Sequence, residues 1–159
     1  SKAGWGQLSK RAPGSTPTAQ GLALHESFGS IVAMVAEVSV DAAQQIRVHK
    51  VTVAVDCGIG VNPHGLAQQV ESSVIFGLSA ALYGKIDFKE GQVQQSNFHD
   101  YPALRMADSP EIETHIIPST RAPSGMGEPA LPPVAPAVAN AVFALTGKRL
   151  RALPLGLAG

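Results

Sequence analysis

Apolar and polar positions along the chain first alternate, then recur every three to four residues, then alternate again, and these periods predict its elements. Gly21 to Val40 ends in a β-rich stretch in which Val32, Met34, Ala36, Val38 and Val40 share one face. After a turn at Asp41 to Gln44, the run from Ile46 to Gly58 alternates again, with Val51, Val53 and Val55 on one face. The two runs predict an antiparallel hairpin. GIGVNP then breaks the strand, and Asn62-Pro63 leads into a helix from about His64 to Tyr83. Leu66, Val70, Val74, Leu78 and Ala81 lie near one stripe of it, and Gly84 is its stop. A second hairpin is expected with its turn at Lys89 to Gln92. Beyond a polar loop, Glu111, Glu113 and His115 face one way while Ile112, Thr114 and Ile116 face the other. The last helix runs from about Pro133 to Leu145 and is apolar nearly all round, which predicts burial. Gly147 closes it, with Lys148 and Arg149 behind. The fold class is therefore α+β, with antiparallel hairpins and two main helices.

Composition narrows the function classes. The chain has 159 residues, 45% of them hydrophobic, which is the size of one domain with enough apolar content for a core. Its formal net charge is zero, so charge balance points to neither nucleic acid nor an acidic lipid surface. No apolar run approaches the roughly 20 residues of a membrane helix. The single cysteine, Cys57, excludes an intramolecular disulfide framework and a multi-cysteine metal site within this chain. Residues 1–20 read as a linker or a truncated start, and 21–159 as the folded portion.

Most familiar reaction motifs are missing. His25, His49, His64, His99 and His115 form no HExxH pair, no serine sits in a G-x-S-x-G elbow, and GIGVNP lacks the third glycine of a dinucleotide loop. Cys57 can be a nucleophile, but it follows an apolar strand directly, where a buried inert thiol is commoner. Gln68, Gln69 and Glu71 fit the solvated side of the helix. Glu128 is different, because several features converge on it. Gly125 and Gly127 remove side-chain bulk beside it, and Pro129, Pro132 and Pro133 stiffen the segment after it. The positive end of the last helix points back toward it. Burial would raise its pKa and the helix end would lower it, a balance suited to a base near neutrality. An exposed loop acid beside a tight turn is the equal alternative on these features alone.

The segment GMGEPALPPVAPAVANAVFALTGKRLRALPL, Gly125 to Leu155, resembles the C-terminal catalytic segment of the molybdenum hydroxylases, the xanthine oxidase and aldehyde oxidoreductase family. That family's hallmark is G-x-G-E-P followed by P-x-A-x-A-N-A. AVDCGIGVNP, QQVESSVIFGLSAALYG and NFHDYPALRM are similar, in order, to three earlier family stretches, and the resemblance covers about Gly21 to Leu155. The details look most like the large subunit of isoquinoline 1-oxidoreductase and similar bacterial enzymes. Phe76 stands in a helix that typically carries Q-G-x-G, so a family glutamine contact at that position does not carry over.

The resemblance implies a molybdenum-pterin cofactor, molybdopterin or its cytosine dinucleotide, with Glu128 as general base. The enzyme would hydroxylate N-heteroaromatics or oxidise aldehydes, with water as the oxygen source. Gln69 would hydrogen-bond the pterin, and the backbone of Ser124, Gly125, Met126 and Gly127 would approach it. No residue of this chain is implied as a metal ligand. The family's molybdenum subunit is several times longer, so the partners implied are the remainder of that subunit and a small protein with 2Fe-2S clusters, and this chain alone is expected to be inactive. The bacterial periplasm is favoured over the cytoplasm. The alternative is a non-catalytic domain that keeps only the fold and an interaction surface.

Overall fold

The computed structural model describes residues 2–7 and 15–157. Strands β1 (Thr18–Ser27), β2 (Ser30–Val40) and β3 (Ile46–Asp56) form an antiparallel meander, and β6 (Glu111–Ile116) completes a four-stranded sheet in the order β1-β2-β3-β6. The pattern reading found β2 and β3 but not β1. Gly21 to Val40 is itself a hairpin, and β1 starts at Thr18, inside the stretch expected to be a linker. Of that stretch, residues 8–14 lie outside the described residues. Ser27 pairs with Ser30 across a two-residue turn, in which Phe28 and Gly29 have φ of 52° and 76°. Two consecutive positive φ values are the signature of the tight turn that matches strand twist. Only Gly29 advertises it in sequence.

The sheet is mixed rather than purely antiparallel, because β6 runs parallel to β3, with Val53 opposite Thr114. A parallel neighbour requires a crossover. It is supplied by helix α1 (Pro63–Leu82), with a small hairpin of β4 (Phe88–Lys89) and β5 (Gln92–Val93) and a short 3-10 turn on the way. Asn62 caps α1, its Oδ1 accepting from the Gly65 N–H at 3.1 Å. Helix α2 (Val134–Thr146) ends at Gly147, whose φ of 72° closes it in the left-handed conformation.

Both helices pack on one face of the sheet. Val32, Met34, Val38, Val51, Val53 and Val55 meet Val70, Val74 and Leu78 of α1 and Val134, Val138 and Val142 of α2, all of them almost fully buried. Close approach depends on two glycines. A Cβ on Gly21 would lie 2.0 Å from the Ala137 carbonyl oxygen, and one on Gly77 would lie 2.7 Å from Cγ2 of Val134. Helix α2 is not buried all round as its composition suggested, since Pro136 and Ala144 face solvent. The other face of the sheet carries Glu111, Glu113 and His115, as their alternation predicted. Lys50 bridges both glutamates, at 3.0 and 2.9 Å.

Candidate functional site

The segment from Arg121 to Glu128 crosses one end of the sheet and is held by backbone contacts. The Ile59 N–H donates to the Arg121 carbonyl (3.0 Å), the Ser124 N–H to that of Cys57 (2.9 Å), and the Gly125 N–H to that of Phe28 (3.1 Å). Ser30, wholly buried, donates its hydroxyl to the Gly125 carbonyl at 2.6 Å and lies 2.7 Å from the Ser124 hydroxyl. Ser73 of α1 donates to the Gly127 carbonyl at 3.3 Å. The loop is thus tied to the β1–β2 turn, to the end of β3 and to α1.

A charged clasp anchors the start of the loop. Arg121 Nη2 lies 2.7 Å from Asp56 Oδ1, and the Gly58 N–H donates to the same oxygen at 3.2 Å. The Arg121 hydrogen bond first, and the Gly58 N–H second, hold the Asp56 carboxyl below the usual carboxylate range. Gly58, with φ of 73°, is required by the crossing, since a Cβ there would sit 2.1 Å from the Ala122 carbonyl oxygen. Cys57 is buried and free, so its structural reading holds.

The two glycines beside Glu128 serve different neighbours. A Cβ on Gly125 would come within 2.8 Å of Cβ of Phe28, so the group approaching it is this chain's own turn. A Cβ on Gly127 would meet nothing within 4 Å, and the backbone there is open to another molecule. Met126 turns its side chain into the core. Glu128 itself begins a tight turn, its carbonyl accepting from the Leu131 N–H at 2.9 Å just ahead of α2. Its side chain is exposed, so this chain by itself does not supply the shielding anticipated for the carboxylate.

Glu128 and Gly127 line a cavity of about 580 Å³ together with His25, Ser27, Phe28, Ser73, Phe76 and Leu131. Gln69 and Ser124 line a neighbouring hollow of about 270 Å³ with Cys57, Asn62, Leu66 and Pro123. Loop and helix link the two: Ser124 to Gly127 passes from one to the other, and Gln69, Ser73 and Phe76 follow a helical spacing along α1. A further cavity of about 580 Å³, lined by Asp41, His49, Tyr83 and Asp108 among others, lies at the opposite end of the sheet and contains neither Glu128, Gln69 nor any of Ser124 to Gly127.

Sequence reasoning missed the walls of the Glu128 cavity. Phe28 and Phe76 are 66% and 67% exposed, and Phe28 holds a positive φ that costs a non-glycine residue about 1–2 kcal/mol. Phe76 was visible as the departure from Q-G-x-G. Phe28 carried no such signal, because its role depends on a turn that the pattern did not reveal.

The donor set suits a pterin better than a bare ion. Among the described residues no group of three or more His, Cys, Asp or Glu is placed to hold a metal. The Ser27 hydroxyl oxygen is buried without a hydrogen-bond partner on the cavity wall, and Gln69 presents an exposed amide that both donates and accepts.

Residues 9–110 match the molybdopterin cofactor-binding domain family. The chain belongs to that family. It is 37% identical over 152 residues to isoquinoline 1-oxidoreductase subunit beta of Brevundimonas diminuta, covering 95% of this chain and 19% of that protein. It is 38% identical over 122 residues to a membrane-bound aldehyde dehydrogenase (pyrroloquinoline-quinone) of Gluconacetobacter polyoxogenes, covering 76% of this chain and 16% of that protein. The crystal structure of quinoline 2-oxidoreductase from Pseudomonas putida 86 superposes with a TM-score of 0.73 at 22% identity, over 79% of this chain and 17% of that one, a likeness of fold. The chain thus spans less than a fifth of the length of these relatives. No helix among the described residues is long and apolar enough to cross a membrane.

Proposed function

We propose that this chain is the C-terminal portion of the large subunit of a molybdenum-dependent oxidoreductase, and that Glu128 is its general base. The substrate would be an N-heteroaromatic or an aldehyde. The observation that carries the proposal is the position of the Glu128 carboxylate, exposed in a cavity between Phe28 and Phe76 beside the open backbone of Gly127.

Gln69, the backbone at Ser124 to Gly127 and the unpartnered Ser27 hydroxyl would hold the molybdenum-pterin cofactor. When bound, that cofactor supplies the two-electron redox chemistry and delivers oxygen derived from water. Glu128 accepts the proton released in the same step on a carboxylate oxygen, which suits a side chain with no other partner among the described residues. Phe28 and Phe76 offer flat apolar walls to an aromatic or aldehyde substrate. The remainder of the subunit would close the site over Glu128, and a small protein with 2Fe-2S clusters would accept the electrons. The family match favours a pterin over the quinone named for one relative.

Glu128→Gln in the intact enzyme tests the assignment. It keeps the shape of the side chain and removes the base, so kcat should fall by about 10²–10⁴, with molybdenum content unchanged. Near-normal turnover with a full complement of molybdenum would overturn the role of Glu128. A purified intact enzyme that contains no molybdenum, or holds a quinone instead, would overturn the cofactor assignment. Absence of both molybdenum and quinone would leave a non-catalytic fold and interaction module as the better account.

A further inference from the structure

The sheet face opposite the helices is covered over one part and bare over the next. Glu37, Val35 and Thr52 are 3%, 8% and 6% exposed, although neither helix packs on that side. The chain's own segment Lys2–Gln7 lies over this part of the face and lines a hollow with them. That segment is tied to Gln20, whose Oε1 accepts from the Gly6 N–H at 2.8 Å and whose Nε2 donates to the Gln7 carbonyl at 3.2 Å. Immediately beside this cover, Leu22 and Leu24 on β1 and Ile31 on β2 are 47%, 66% and 38% exposed. Leu22 is the direct cross-strand neighbour of the buried Val35. The apolar strip of Leu22, Leu24 and Ile31 therefore adjoins the buried patch and is itself exposed.

From this we infer that Leu22, Leu24 and Ile31 form the docking strip for the remainder of the same subunit polypeptide. The inference rests on the reading of this chain as one domain of a longer subunit. Three observations favour that occupant. The relatives devote more than four-fifths of their length to polypeptide outside the matched region, and in them that polypeptide is covalently attached to this domain. The face already accepts chain from its own molecule at Gln20, two residues from Leu22 on the same side of β1. On the β3–β6 side of the face the charges are internally matched, with Lys50 held between Glu111 and Glu113 and His115 against Glu113, whereas the β1–β2 side presents the apolar strip. The geometry also sets the mode of docking. Asn140 Nδ2 of α2 donates to the Leu22 carbonyl at 3.0 Å and is itself held by Arg149, which blocks the edge of β1 at that point. A partner meets side chains there and does not extend the sheet.

Hydroxyl-radical footprinting of the intact, unmodified subunit tests this without a destabilising variant. Labelling of Leu22 and Leu24 should fall by about tenfold or more relative to the urea-unfolded subunit, as for residues closed off in the native state. Labelling within about twofold of the unfolded rate would overturn the docking strip. Zero-length coupling from Glu26, which precedes the turn on the same face, then identifies the occupant. A lysine of the same polypeptide outside the 159 residues supports the inference; a lysine of a second copy or of a smaller subunit overturns it. The mass of the native polypeptide separates the two failures. If it is no longer than this chain, the reading as part of a longer subunit fails; if it is longer but Leu24 labels freely, only the docking strip fails.

Discussion

Gly125 and Gly127 stand two residues apart and are constrained by different things, which makes them the sharpest pair of substitutions at the residue scale. Gly125→Ala drives a methyl to within 2.8 Å of Phe28 Cβ. It should destabilise the intact subunit by about 1–3 kcal/mol, as overpacking does, read as a lowered Tm. Gly127→Ala meets nothing in this chain. It should shift stability by no more than about 0.5 kcal/mol, yet lower molybdenum retention, because the added methyl occupies the space proposed for the cofactor. Equal retention in Gly127→Ala and wild type would argue against close backbone approach at this position. Glu128→Gln belongs beside them, with the opposite signature of full cofactor and lost turnover.

Between elements, the clasp of Asp56 at the end of β3 with Arg121 at the head of the Glu128 loop should be visible in acid. The folded-state pKa of Asp56 is depressed, so its contribution to stability is present above the unfolded value and is lost as pH falls through the folded one. Arg121→Met removes the largest cause. The Asp56 carboxyl, followed by NMR, should then titrate closer to the ordinary carboxylate range, and the variant should lose less stability than wild type on acidification. Salt should weaken the difference, since Arg121 is about half exposed. The crossing of α1 and α2 positions the other end of the loop. Gly77→Ala places Cβ 2.7 Å from Val134 Cγ2 and 3.2 Å from the Leu131 carbonyl. It should cost about 1–3 kcal/mol and lower kcat by moving the Glu128 turn, although its own side chain would lie outside the cavity.

At the scale of the whole molecule, the proposed site lies open on the surface of this chain. The exposed Glu128, the exposed rings of Phe28 and Phe76 and the bare strip at Leu22 and Leu24 all present surface that a longer subunit would cover. Residues 1–159 expressed alone should therefore show no turnover of N-heterocycles or aldehydes, and activity should appear only with the rest of the subunit present. Measurable turnover by the separate chain would contradict a site completed from outside.

Local pattern determined a large share of this protein. The 3.6-residue stripe of Leu66 to Ala81 and the Asn62-Pro63 start fixed α1 nearly to the residue, because capping and periodicity are local. Alternation placed β2, β3 and β6 and sorted the faces of β6 correctly, and GMGEP marked the loop that carries Glu128. The features that escaped the pattern were non-local. The strand β1 was hidden because Gly21 and Ala23 fit beneath α2 as small residues, and smallness reads as strand only once the helix lies on top of it. The parallel pairing of β3 with β6 needed the crossover through α1. Phe28 reached the Glu128 cavity through a turn of two positive φ values, and Gly125 proved to make room for Phe28. Sequence determined which segments form helix, strand and the loop that carries Glu128, because those preferences are set by near neighbours. Only the tertiary structure decided which residues meet around Glu128, because those contacts join β1, α1 and the loop across the full width of the fold.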